Sequence, residues 1–158
     1  MSMSNNNNTR LETSDNENLP EYSFSLKKIQ LVEKTLSLVP KKENQDDYDF
    51  DISLKITLDP IKKCSIHFMN VGVRIKSDNR KVASVSIVCF FEINNFDQLV
   101  TNDQNELTLP QSLLNLLNTV VIGTVRGITY SEFRGTALDN AILPVLDPRK
   151  FQKKLENN

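Results

Sequence analysis

The sequence is poor in the residues that most often carry chemistry. It has no Trp, one His and two Cys among 158 residues, and aromatic side chains make up only 7%. Cys64 and Cys89 do not form a C-x-x-C pair, and one His is too few to complete a usual zinc site. The few aromatic residues leave no stacking platform for single-stranded nucleic acid. We therefore expect no metal site and two reduced thiols, with a disulfide between neighbouring strands as the less favoured alternative.

The charge of the chain is nearly balanced, so an excess of either sign is also missing. Lys and Arg total 19 against 20 for Asp and Glu, which gives a formal net charge of -1. A nucleic-acid binder usually carries a basic face, so we expect no nucleic-acid partner. No window holds the ~18–20 apolar residues of a membrane span, and residues 1–18 are too polar for a signal peptide. These features predict a cytoplasmic protein without membrane insertion.

Motifs of catalysis and nucleotide binding are missing too. The acidic cluster within residues 46–51 lacks the Gly and the distal Glu of a calcium-binding loop, and the glycines do not have phosphate-loop spacing. His67 has no nucleophile signature near it. It alternates with Ile66 and Phe68, so we expect its side chain on the polar face of a strand. The sequence predicts a protein that is not an enzyme and needs no cofactor.

Most of the first two thirds of the chain alternates apolar and polar residues, which is typical of half-buried strands. Residues 1–20 are rich in Asn, Ser and acids, and we expect a disordered polar tail there. Residues 21–158 then form a single domain. A hairpin turn at 77–80 joins the last two predicted strands. The four alternating runs are residues 22–38, 48–58, 64–75 and 82–93.

Two phase slips interrupt this alternation and predict β-bulges. The first is at Lys27 and Lys28, and the second lies between Asn70 and Gly72. The fourth run has apolar residues on both faces, so we expect part of this strand to be covered on both sides.

A helix follows the strands. Pro110 is suited to its first position, and apolar residues recur at helical spacing as far as Ile128. Gly123 and Gly127 lie four residues apart on one side of the helix. They predict a close backbone contact either with a partner helix or with the chain's own sheet. A short second helix is expected from Asp147 and Pro148.

Two stretches of the sequence resemble the SecB family of protein-export chaperones. The first is the segment Phe24-Ser25-Leu26-Lys27-Lys28-Ile29-Gln30-Leu31, which is similar to the opening strand of that family. The second begins with Arg134-Gly135-Thr136 after the long helix. It continues through Leu138 and Leu143-Pro144-Val145 to Phe151. The similarity covers most of residues 21–155 in order and length.

The resemblance implies an α+β fold, with a four-stranded antiparallel sheet followed by a long and a short C-terminal helix that cover one face. It implies a homotetramer, assembled as a dimer of dimers with the helices between the sheets. It also implies a holdase that binds non-native polypeptides in long apolar grooves without ATP or a metal. Within that family, the function is protein export or, in some relatives, protection of an antitoxin.

Candidate site residues follow from the fold that the resemblance implies. Each of the groove candidates is an apolar residue that could equally belong to the core. The client-binding candidates are Tyr48, Phe50, Ile142, Leu143, Leu146, Phe151 and Leu155. The candidates for the oligomer interface are Leu113, Leu117, Val120, Gly123 and Gly127.

The predicted surface departs from the family in its charge. SecB proteins usually present an acidic sheet face to the export motor SecA, and opposite charges are what steer such a partner. The polar faces of these strands instead mix Lys and Arg with few acids. SecA binding therefore stays open. A rival hypothesis from another class is a protein in which the sheet and helix enclose a small-ligand pocket.

Overall fold

Four long strands form one antiparallel sheet, and a long helix packs on one of its faces. The computed structural model describes residues 21–42, 44–103 and 106–154. The predicted tail at 1–20 and the candidate Leu155 lie outside these residues. The elements are β1 (Phe24–Leu36), β2 (Tyr48–Asp59), β3 (Cys64–Ile75), β4 (Arg80–Ile93), α1 (Phe96–Leu99), β5 (Thr101–Asp103), β6 (Glu106–Thr108) and α2 (Gln111–Phe133), with 3₁₀ turns at Gln45–Asp47 and Pro148–Lys154.

The strand order is β1-β4-β3-β2, so β1 and β2 are the edges of the sheet. The chain leaves β1 at one edge, crosses to β2 at the other, and returns through β3 and β4 by antiparallel pairing. The predicted α+β class, the four strands and the long helix are confirmed. The second helix is a 3₁₀ segment. A small β5–β6 hairpin lies along the chain between the sheet and the long helix.

Helix α2 packs on the two central strands, and four of its apolar side chains have no exposed surface. These are Leu113, Leu117, Val121 and Val125. The expectation that no window could span a membrane needs a correction. By length and composition α2 could do so, with a mean hydropathy of 1.2 over its best window. Core helices pass the same test, and these four side chains face the sheet.

One helix is too narrow to cover the whole inner face. A helix with its side chains is about 10–12 Å wide, whereas the outer strands of a four-stranded sheet lie about 14 Å apart. On β1 the inner side chains Leu26, Ile29 and Leu31 consequently remain 37%, 46% and 42% exposed. The inner side chains of β2 from Phe50 to Leu58 are only half-buried.

The first predicted bulge is confirmed and the second is wrong. The β1–β4 register shifts between Leu26 and Lys28. In contrast, β3 pairs with β2 without interruption from Cys64 to Ile75. The misjudged residues are Ile66 and Phe68, whose side chains point to the outer face of the sheet. The inner positions beside them hold Ser65 and His67, and both are fully buried.

The expectation of a polar, outward His67 was therefore wrong. Its ring Nε2 lies 2.8 Å from Ser65 Oγ, and its Nδ1 lies 3.1 Å from Oδ1 of Asn118 on α2. Since the amide oxygen can only accept, Nδ1 carries the proton and the Ser65 hydroxyl donates to Nε2. The three buried side chains form a polar bridge between sheet and helix. Hydrogen bonding is the condition for burying such groups at acceptable cost.

The two cysteines lie on opposite faces of the sheet. Cys89 pairs with His67 on the inner face, whereas Cys64 lies three residues from His67 and points outward. Two cysteines that point away from each other cannot be bridged without backbone movement. Both are free thiols, and burial raises the pKa of the Cys89 thiol to about 11. The disulfide alternative is therefore excluded.

Protonation of His67 should destabilise the fold at acidic pH. Burial lowers its pKa from 6.5 to about 4. Between pH 6.5 and 4 the imidazole is mostly protonated in the unfolded chain and neutral in the folded chain. The free energy of unfolding therefore falls as the pH drops toward 4. The full difference corresponds to about 3 kcal/mol. We expect His67→Gln to be less stable at neutral pH but to lose less stability on acidification, as measured by urea unfolding. Carboxylates titrate in both proteins, so equal pH slopes would contradict this role of His67.

Candidate functional site

The candidate site is organised by the segment that returns from α2 across the molecule, residues 141–146. Gly135 allows the turn after α2 because its φ is +75°, a conformation that other residues rarely adopt. Leu138, Ala141 and Leu143 are buried and fix the returning chain to the core. Ile142, between Ala141 and Leu143, and Pro144, directly after Leu143, are exposed. We call residues 141–146 the crossing segment.

The first groove runs between α2 and the crossing segment, and we call it the helix groove. It encloses ≈ 320 Å³ and is lined mainly by carbon. Tyr130 and Ile142 on its walls are 52% and 39% exposed. Its lining residues are Gly123, Arg126, Gly127, Tyr130, Ile142 and Leu143.

The two glycines form the floor of the helix groove. A Cβ atom added to Gly123 or Gly127 would meet no heavy atom within 4 Å. Neither glycine therefore permits a close contact with the chain's own sheet, and that alternative from the sequence was wrong. Their missing side chains leave open space on the outward side of α2. Arg126 is the charged residue that lines this groove.

The second groove lies on the other side of the crossing segment, along the edge strand β2. We call it the strand groove, and it also encloses ≈ 320 Å³. Its walls are mixed, since apolar side chains alternate with polar ones, and Lys76 Nζ lies 3.8 Å from Asp49 Oδ1. The lining residues are Gln45, Asp46, Tyr48, Asp49, Phe50, Ile52, Lys76, Pro144 and Leu146.

Two hydrogen bonds hold the C-terminal part of the chain against the start of β2 and the turn before it. The Gln45 side-chain amide donates to the Ile142 carbonyl at 2.9 Å. The Tyr48 hydroxyl donates to the Ala137 carbonyl at 3.3 Å, and burial raises the pKa of this phenol. These bonds fix the wall that both grooves share. A third, smaller depression of ≈ 210 Å³ lies between the end of β1 and residues 136–138.

The structure brings five of the seven client-binding candidates to the two grooves. Phe50, Leu146 and Ile142 have accessible side chains there. Tyr48 and Leu143 are almost fully buried and act as walls. Phe151 is a half-buried residue packed against the core. These positions give a location, and whether clients bind there stays a prediction.

The interface candidates divide into two groups. Leu113 and Leu117 have no exposed surface, so they belong to the core of the single chain. Val120 is half-buried, while Gly123 and Gly127 are exposed. An interface on α2 could use only its outward side, to which the half-exposed Leu116 also belongs.

Sequence reasoning missed Arg126, Tyr130, Ile52 and Pro144 as groove residues. The helical positions could have been found, because residues three and four apart share a helix face. Arg126, Gly127 and Tyr130 follow Gly123 at that spacing, on the side opposite Leu117 and Val121. That Ile52 and Pro144 line the same groove could not have been found, because it depends on where the crossing segment passes β2.

The site offers apolar surface and a few hydrogen-bonding groups. Among residues 21–42, 44–103 and 106–154, no cluster of three or more His, Cys, Asp or Glu side chains could hold a metal ion. Open grooves of this kind suit the side chains of an extended peptide.

Comparison with known proteins gives matches in structure only. No family model and no curated protein sequence matches this chain. A Mycobacterium tuberculosis SecB-like chaperone, solved in complex with a ChAD peptide from the HigA1 antitoxin, superposes with a TM-score of 0.56 at 16% identity. The match covers 78% of this chain and 89% of that one. A Streptococcus agalactiae protein of unknown function has a TM-score of 0.43 at 16% identity, covering 80% and 98%. The superposition on the mycobacterial chaperone shows that the chain has a divergent SecB-like fold.

Proposed function

We propose that this protein is a SecB-like holdase, which binds extended apolar segments of non-native polypeptides in the helix groove and the strand groove. The observation that carries the proposal is a pair of open grooves that share one anchored wall, the crossing segment. The SecB-like fold supports it, since the neighbour with a TM-score of 0.56 is a chaperone solved with a bound peptide.

The chemistry of the grooves suits passive capture. Burying one large apolar side chain contributes about 1.5–3 kcal/mol, and ordering the client offsets part of this gain. A few anchors then give reversible binding whose strength depends on how unfolded the client is. Release in such a scheme requires no nucleotide hydrolysis, so we propose that the cycle is independent of ATP.

The edge strand β2 adds a second mode of recognition. Within the described residues β2 pairs only with β3, so its other edge has free backbone N–H and C=O groups. An extended client in the strand groove would lie beside this edge and could add a strand to the sheet. Main-chain bonds of this kind are independent of sequence, as a chaperone with many clients requires.

Two client classes fit the proposal. The first class is export precursors, which are the clients of the SecB family. The second is an antitoxin, because the mycobacterial neighbour was solved with a peptide from an antitoxin. Both present unfolded, apolar segments to the grooves. They differ in whether the motor SecA takes part, so a binding assay with SecA separates them.

The direct test is suppression of aggregation. Purified protein without ATP should keep a chemically unfolded client soluble at about stoichiometric ratio, as followed by light scattering. An equal mass of an unrelated folded protein is the control. Aggregation at the control rate would remove the holdase proposal.

Filling the helix groove should weaken capture without harming the fold. In Gly123→Leu/Gly127→Leu the new side chains occupy the groove, and we expect client affinity to fall about tenfold or more. Thr119→Leu is the matched control, since Thr119 is exposed one turn away on the same helix. Gly123→Ala/Gly127→Ala should raise stability by about 1 kcal/mol per site, because Ala is the better helix former and its Cβ meets no atom. If the leucine variant captures clients like wild type, the helix groove is not their site.

We further propose that the chain assembles through the uncovered inner side chains of β1 and the outward side of α2, as a tetramer built from two dimers. The half-exposed Ile29 and Leu31 of β1 and Leu116 of α2 would be buried in such an assembly. A stable interface buries about 800 Å² on each partner. Light scattering coupled to size exclusion should give about four times the chain mass of 18.0 kDa. Ile29→Glu/Leu116→Glu should lower that mass, whereas a monomeric wild type would contradict the assembly.

A further inference from the structure

The outer face of the sheet has an apolar block that the grooves do not use. The side chains of Ile66, Phe68, Val88 and Phe90 all point to this face, away from α2. Phe68 remains 36% exposed and the other three are half-buried. We call these four residues the outer patch. Helix α2 packs on the opposite face of the sheet.

The strand register places the outer patch between lysines. One cross-strand row runs Lys28, Phe90, Ile66, Thr57, and the next runs Gln30, Val88, Phe68, Lys55. The four apolar side chains form a two-by-two block at the centre, with Lys28 and Lys55 at diagonal corners. Lys28 Nζ lies 5.7 Å from the centre of the Phe90 ring.

These corner lysines differ from most charges elsewhere on the same face. At the far end Arg74 pairs with Asp51, and Lys76 pairs with Asp49. Within residues 21–42, 44–103 and 106–154, the structure gives neither Lys28 nor Lys55 a carboxylate partner. Their charges are therefore available to a ligand.

The nearby carboxylates lie in the flanking rows. Glu92 pairs with Lys27 at 2.6 Å. Asp59 accepts hydrogen bonds from the backbone N–H groups of the β2–β3 turn. Glu33 lies opposite Ser86, one row beyond Gln30. Within the two rows of the outer patch itself, the charged side chains are lysines only.

We propose that the outer patch is a docking site for an acidic-aromatic segment of a partner polypeptide, distinct from the clients of the grooves. The aromatic side chains would pack on Phe68 and Phe90, and carboxylates on either side would pair with Lys28 and Lys55. A second copy of this chain is a poorer partner for the patch, because its own lysines would meet these lysines. Like charges brought together in an interface are unfavourable.

The register also sets the spacing that the partner needs. Lys28 and Lys55 lie on the two edge strands, about three strand spacings and one two-residue step apart, or about 16 Å between backbones. An extended segment advances about 3.3 Å per residue. The partner's carboxylates should therefore be about five residues apart, with the aromatic residues between them.

The test uses the full-length protein and a labelled synthetic peptide with two Phe residues between terminal Asp residues at that spacing. Fluorescence anisotropy should show binding that weakens as salt rises, because exposed charge pairs are screened. The same peptide with Lys for Asp should bind about tenfold more weakly or worse. Equal binding of both peptides would overturn the proposal.

Variants then locate the binding. Lys28→Glu/Lys55→Glu should reverse the preference between the two peptides, and Phe68→Ser should weaken binding of both. The matched control is Lys81→Glu/Lys150→Glu, which changes the net charge equally. Lys81 lies opposite Arg74 on the neighbouring strand, at the far end of the sheet, and Lys150 lies beyond α2. If the control lowers affinity as much as the patch variant, the attraction is general and the site is wrong.

Other occupants of the outer patch give different results. If wild type binds no peptide and its mass falls in Phe68→Ser, a second copy covers the patch and the proposal is overturned. If the peptide binds only after Glu12, Asp15 and Glu17 are changed to Ser, the chain's own N-terminal segment is the occupant of the patch. That result also overturns the proposal. The groove variant Gly123→Leu/Gly127→Leu should bind the acidic peptide normally, so this test stands apart from that of the holdase.

Discussion

The mismatch between the width of one helix and the width of the sheet governs this structure. Helix α2 packs mainly on β3 and β4, and it leaves many inner side chains of the edge strands partly exposed, although Glu132 near its end pairs with Lys34 of β1. The apolar inner side chains of β1 and β2 are thus left partly exposed in the single chain. Covering this surface is energetically favourable, so a client, a second chain or the crossing segment is stabilised by packing on it. The crossing segment covers only part of this surface, and the two grooves lie on either side of it.

Much of the fold could be predicted from the sequence because β2 and α2 follow a single period. From Tyr48 to Leu58 every second residue is apolar, and the structure faces those residues inward. On α2, Leu113, Leu117 and Val121 recur at helical spacing and are buried against the sheet, whereas Leu113 and Leu117 had been named as interface candidates. Where only one face of an element is covered, the apolar pattern identifies that face.

The pattern failed on β3 because this strand has apolar residues on both faces. Ser65 and His67 take the inner positions because Asn118 on α2 provides a partner, and that pairing joins residues far apart in sequence. Because His67 was expected on the polar face, Ile66 and Phe68 were expected on the opposite, apolar face, and the outer patch was missed with them. The grooves were found only in part, since α2 side chains can be placed by periodicity whereas the path of residues 141–146 cannot.

The buried bridge between His67 and Asn118 has a consequence for how the grooves can adapt to ligands of different size. Sliding or rotating α2 on the sheet would separate these groups and leave them buried without partners, which is costly. Gly123 lies five residues from Asn118 on the same helix, or about 7.5 Å along its axis. The floor of the helix groove is thereby fixed to the sheet. The opposite wall is anchored as well, through the buried Leu143 and the hydrogen bond from the Gln45 amide to the Ile142 carbonyl. Adjustment to a bulky or a slender ligand must then come from side chains that stay exposed in the groove, such as Tyr130 and Ile142. Breadth of recognition in this protein would thus depend on a few side-chain rotamers between two fixed stretches of backbone.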